Sequence, residues 1–167
     1  MSALQPKVIS IELNGLALDL LCTIASADRI EEAFGVSIMD SAEIFTDPAN
    51  TPKLLHCFDM HGTAESVILE HIDEKNIGTA FEACTDCFLK SLPQDGDFSV
   101  DCNDDHDVNN KSGGDFRLSR LVFLGLTVLN LSYDEILGMT IRQFMIIYSS
   151  NSRGLFHKQT LDDMIPI

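Results

Sequence analysis

The sequence predicts a mainly α-helical chain that opens with a β-hairpin, an α+β fold whose small helical domains are joined by an acidic linker. Three observations carry this. Val8–Leu13 and Leu16–Leu21 flank Asn14–Gly15, the pair preferred where a two-residue type I′ turn needs positive φ twice. Later segments repeat apolar residues at helical spacing, each bracketed by capping or breaking residues. Residues 93–115 lose all period and carry seven Asp against one Lys, which reads as a solvated linker. The chain therefore divides into a hairpin-plus-helices region (1–92), the linker (93–115), a helical region (116–150) and a tail (151–167).

Taken in order, Ile9, Ile11 and Leu13 share one face of the first strand, opposite Ser10 and Glu12. A lone hairpin is marginal in water, so it must rest on a helical layer. Thr23 is the expected N-cap of a helix whose stripe is Ile24, Ala27, Ile30 and Phe34, with Gly35 ending it. A short helix over Ile38–Phe45 is closed by Asp47–Pro48. Thr51–Pro52 opens the next, through about His61, with Gly62 as its stop. Thr63 caps a further helix through Ile72. Asn76 precedes another that aligns Ile77, Phe81, Cys84, Phe88 and Leu92, with Pro93 just beyond.

Asp115 is the expected N-cap of Phe116–Leu129, apolar nearly all round and so a central, buried helix. The stretch LSYDEILGMTIRQF holds two capping boxes in succession, Ser132 with Glu135 and Thr140 with Gln143. They predict a two-turn helix over Tyr133–Leu137, a corner at Gly138 in the left-handed conformation, and a last helix through about Ile147. The corner folds that last helix back onto Phe116–Leu129.

The 167 residues suffice for one core. Twenty-six Asp and Glu against eleven Lys and Arg give a net charge of −15. Phosphate backbones repel such a surface, so nucleic acid is not an expected partner. A basic partner, or solubility alone, fits better. No segment approaches the roughly 20 apolar residues of a membrane span, and the N-terminus lacks a signal-peptide pattern. The expected location is the cytoplasm, with the five cysteines reduced.

Several residue sets invite chemistry. Cys84, Cys87, Cys102 and His106 follow a zinc-like C-x2-C…C-x3-H spacing. Yet the first pair sits mid-helix between Phe81 and Phe88, where cysteine acts as a small hydrophobe. His56, Asp59 and His61 could form an acid–base or metal cluster, but nothing near them resembles H-E-x-x-H, and a solvated helix end explains them. Asp101–Asp107 fails the EF-hand pattern, with His106 where glycine is required. Gly113–Gly114 lacks the Lys-Ser/Thr of a phosphate loop. No catalytic residue and no cofactor is expected, and the chain reads as a non-enzyme.

The order of these signals resembles the tail assembly chaperones of long-tailed bacteriophages. The first helix carries Ala27, Ile30, Glu31, Gly35, Ser37 and Ile38 in the family's opening pattern. The closing pattern falls on Leu131, Ser132, Glu135, Met139, Thr140, Ile141, Arg142 and Gln143. Asn130 stands where the family often has Gly, and Gln143 where Glu is usual. The resemblance implies a protein of the bacterial host cytoplasm, absent from the finished virion. It would self-associate, keep the helical tape-measure protein soluble and recruit tail-tube protein. Met139, Ile141, Phe144 and Met145 are the candidate partner-binding residues, since methionine-rich surfaces adapt to varied partners. Two alternatives stand beside this reading. One is a zinc-stabilised interaction module. The other is an acidic mimic of nucleic acid that occupies a basic site on a host protein.

Overall fold

The computed structural model describes residues 5–94, 97 and 118–152. The chain is mainly helical and opens with the hairpin. Strands β1 (Ile9–Leu13) and β2 (Leu16–Leu20) pair antiparallel, with Ile9 opposite Leu20 and Leu13 opposite Leu16. Asn14 and Gly15 have φ of 46° and 87°, the double positive φ of the expected turn. Leu13, Leu18 and Leu20 are buried, and β1 lies on a later helix, which supplies the support a lone hairpin lacks.

Helix α1 (Ile24–Phe34) starts where Thr23 Oγ1 accepts the Ser26 N–H at 3.2 Å, and it ends at Gly35 with φ 69°. The short helix expected next is a 3-10 helix over Ile38–Thr46. Its Phe45 ring stacks on Phe88 at 4.5 Å between centroids and on Phe58 at 6.3 Å. Asp47 Oδ1 accepts the Ala49 N–H and starts a one-turn 3-10 helix, Pro48–Asn50, that runs into α2 (Thr51–Phe58). Thr51 is thus inside a helical turn rather than its cap.

Helix α2 stops three residues short of His61. Asp59 leaves the helix to bridge Leu20, Leu21 N–H donates to the Phe58 carbonyl, and Met60 N–H donates to the Asp19 carbonyl. Backbone pairing with the free edge of β2 outcompetes another helical turn. Helix α3 (Glu65–His71) has Ala64 at its N-cap, and Thr63 N–H is taken by Asp59 Oδ2 at 2.8 Å. Helix α4 (Ile77–Ser91) follows Asn76, whose side chain binds the Asp73 N–H and the His71 carbonyl instead of capping α4.

Helix α5 (Leu118–Thr127) is the expected buried helix, and Asp115 and Phe116 lie outside the described residues. Leu118, Leu121, Leu124 and Gly125 face the core, while Phe123 and Leu126 face solvent. It is therefore amphipathic rather than buried all round. Asn130 takes φ 53°, the left-handed conformation that Asn tolerates nearly as well as Gly.

Both capping boxes are present. At α6 (Tyr133–Gly138), Ser132 N–H donates to Glu135 Oε2 at 2.8 Å and Glu135 N–H to Ser132 Oγ at 3.3 Å. At α7 (Ile141–Ser152), Thr140 N–H donates to Gln143 Oε1 at 2.9 Å and Gln143 N–H to Thr140 Oγ1 at 3.1 Å. The corner differs from expectation. Gly138 stays helical, and Met139, extended at φ −84° and ψ 151°, makes the turn. One core cluster runs from Leu13 to Tyr148, with α5 and α6 against α1 and α7 against α4.

Candidate functional site

The residue sets singled out by sequence separate in space. His56 Nδ1 lies 2.8 Å from the Thr63 carbonyl oxygen, and His61 Nε2 lies 3.2 Å from Asp19 Oδ2. Asp59 is 1% exposed rather than solvated. One of its oxygens takes the Thr63 N–H, which ties the α2–α3 turn. His56 and Asp59 thus both hold the backbone of Thr63, at its carbonyl and its N–H, while His61 faces Asp19, and the three do not converge on a shared atom position.

Asp59 Oδ1 and Arg29 Nε have no hydrogen-bond partner among the described residues, and both residues line one cleft with Thr23 and His61. Each of these two atoms exposes less than 1 Å². The two unpartnered atoms are therefore turned away from solvent rather than presented to a guest in the cleft.

Cys84 and Cys87 are buried in the core beside Cys22 and Cys57, all as free thiols. Burial pushes the Cys22 and Cys87 thiols up to about 12, and that of Cys84 higher still. Metal ligation needs the thiolate, which this apolar site disfavours. Cys102 and His106 lie outside the described residues. Among the described residues, no three His, Cys, Asp or Glu side chains gather where they could hold a metal ion, and no helix is long and apolar enough to cross a membrane.

A cavity of about 190 Å³ lies between the hairpin, α4 and the start of α7. Lys7, Lys90 and Arg142 line it, a local concentration of cations in an acidic chain. Two of the three are already engaged, Lys90 with Asp86 and Arg142 with Asp97. The Arg142 pair is bidentate, with Nε–Oδ2 at 2.8 Å and Nη2–Oδ1 at 2.6 Å. Its side-chain carboxylate is 5% exposed. Composition placed Asp97 in a solvated stretch; instead Arg142, distant in sequence, holds it against α7, and the guanidinium keeps its carboxyl below the usual Asp range.

The closing segment is where surface and core divide. Of the candidate partner-binding residues, Ile141 and Phe144 are buried, with Phe144 stacked beside Tyr148 at 6.4 Å. Their apolar surface faces the chain's own interior. Met139 and Met145 are half-buried. On α5 and α6 the outward apolar residues are Phe123 at 47% exposure, Leu126 at 44% and Tyr133 at 54%; Met60, Leu69 and Leu89 are as exposed elsewhere on the chain. Sequence reasoning missed Phe123, Leu126 and Tyr133, because a helix apolar on most sides does not announce which side lacks a neighbour. The spacing of Phe123 and Leu126, three residues apart, is the one signal that they share a face.

Comparison of the chain with protein-family models, with curated proteins and with solved structures finds no match.

Proposed function

We propose that the chain is a non-enzymatic chaperone of phage tail assembly. In this reading it binds the tape-measure protein and recruits tail-tube protein in the bacterial cytoplasm, and it stays out of the finished virion. The observation that carries the proposal is the outward apolar surface of Phe123, Leu126 and Tyr133 on the α5–α6 unit. That unit leads into the closing segment on which the resemblance rests. Large exposed apolar side chains on two packed helices support a protein partner over a small substrate. The net charge of −15 supports the same reading, since it keeps a chaperone soluble when loaded with an apolar client.

Co-expression with a tape-measure fragment tests it. The chain is expected to co-purify with the fragment and keep it in the soluble fraction. Failure to retain either the tape-measure or the tail-tube protein on an affinity column overturns the proposal.

A further inference from the structure

Between α1 and the α5–α6 unit lie two adjoining hollows of about 240 and 580 Å³ that share Asp28, Leu118 and Ser119. Ile24, Leu118, Val122 and Leu137 give the smaller hollow an apolar lining, while Leu118 and Val36 are the large apolar residues of the larger, more polar one. Exposed Tyr133 stands at one end and exposed Val36 at the other. Asp28 and Glu31, one helical turn apart on α1, form the charged side of the groove. Among the described residues, no Lys, Arg or His lines either hollow.

An apolar trough with one-signed charge along its side selects its occupant. Burying it calls for an apolar ridge, and the negative charge of Asp28 and of Glu31, whose Oε1 already accepts the Ile38 N–H at 2.9 Å, calls for cations beside that ridge. A second copy of this chain is a poor fit. It would bring another −15 charge toward the groove. A strand is also a poorer fit, because apart from the turn at Gly35–Ser37 the described lining residues belong to helices α1, α5 and α6, whose backbone is paired within the helix.

We propose that this groove seats one amphipathic helix of a partner protein, with an apolar ridge flanked by Lys or Arg. The inference deepens the chaperone reading and rests on it for the partner's identity, a helical segment of the tape-measure protein. The groove chemistry itself stands on the residues above.

The probe is a synthetic helix of about 18 residues, long enough for five turns, built from Leu along one ridge and Lys around it. It is titrated into the isotope-labelled full chain, followed by amide shifts. A scrambled peptide of the same composition is the control for simple charge attraction. The amphipathic peptide is expected to bind at least about 10-fold tighter than the scramble, with shifts centred on Gly35, Ser119 and Val122. Asp28→Lys is expected to weaken it about 10-fold. Glu12→Lys changes the net charge equally but lies on the exposed face of β1, and is expected to change binding less than about 2-fold. Val122→Ser, which removes apolar floor without adding charge, is expected to weaken it several-fold.

Equal binding of the scramble, equal effects of Asp28→Lys and Glu12→Lys, or shifts centred elsewhere overturns the proposal. The two readings fail separately. If Asp28→Lys still captures a tape-measure fragment at the parental level, the groove is not the seat, though the chaperone reading stands. If the peptide binds as described but no tape-measure fragment is captured, the groove stands and the chaperone reading falls.

Discussion

The backbone N–H of Ile24 donates to the carbonyl oxygen of Met139 at 2.7 Å. Ile24 is the first residue of α1, where an amide normally lacks a partner within its own helix. Met139 is the extended residue between α6 and α7. The start of the first helix is thus hydrogen-bonded to the corner that follows α6, across more than a hundred residues of chain. An N-terminal helix amide with such a partner is expected to exchange slowly with solvent. Ser132→Ala removes the α6 cap and is expected to cost about 1 kcal/mol. Where that loss falls on local opening, the exchange of Ile24 rises about 5-fold. Amide exchange followed by NMR checks both, and fast exchange at Ile24 in the parent chain refutes the link.

Gly125 marks the closest approach between α5 and its neighbours. A Cβ placed there meets Ile136 Cδ1 at 2.5 Å, Ile136 Cγ1 at 2.7 Å and Phe144 Cε2 at 3.1 Å. Phe144 and Ile136 are both fully buried, so neither yields easily. Gly125→Ala is expected to destabilise the chain by about 1–3 kcal/mol, despite alanine's better helix propensity. Adding Ile136→Val removes the nearest atom and is expected to recover part of the loss. Urea unfolding of the single and double variants measures it, and a neutral single variant contradicts the packing.

The Arg142–Asp97 pair predicts an acid-side loss of stability. The guanidinium lowers the Asp97 pKa in the folded chain relative to the unfolded one. The contribution is therefore fully present above the ordinary Asp range and disappears as pH falls through the depressed folded value. Asp97→Asn is expected to lower the melting temperature near neutral pH and to flatten its fall between about pH 5 and 2. Parallel melting curves for parent and variant across that range leave the pair without a role.

The four buried thiols are expected to resist alkylation in the native chain. Cys22 and Cys87 need pH near 12 to ionise, and burial blocks the reagent as well. Iodoacetamide at pH 8, mapped by peptide mass spectrometry, is expected to label Cys22, Cys57, Cys84 and Cys87 only in denaturant. Addition of EDTA is expected to leave the melting temperature unchanged. Rapid native labelling of Cys84 or Cys87, or a large drop with EDTA, contradicts their role as core residues.

Local signals were readable at the hairpin turn and at several caps, but not at Thr51, Thr63 or Gly138, where the chain departs from its local pattern. Asn14–Gly15, Thr23, Gly35 and the two capping boxes each act through atoms within four residues of themselves, and each is found as predicted. The end of α2 was not readable, because Phe58–Met60 answer to the free edge of β2, some forty residues earlier in the chain. The 3-10 helix at Ile38–Thr46 has a similar partner far away, the Phe58 and Phe88 rings that receive Phe45. Asp97 escaped notice because composition averages over a stretch, whereas a bidentate ion pair singles out one residue.

Local capping, turn chemistry and composition are enough to specify a mainly helical chain behind a β-hairpin, its strong acidity, and the helix–corner–helix at 131–144. Which apolar residues became surface depended instead on how the elements pack. Ile141 and Phe144 went into the core, while Phe123, Leu126 and Tyr133 were left facing water, because burial depends on which other elements arrive and not on a residue's own hydrophobicity. The acidic groove beside α1 exists for the same reason. Asp28 and Glu31 belong to the first helix and Val122 to the fifth, and packing alone made them neighbours.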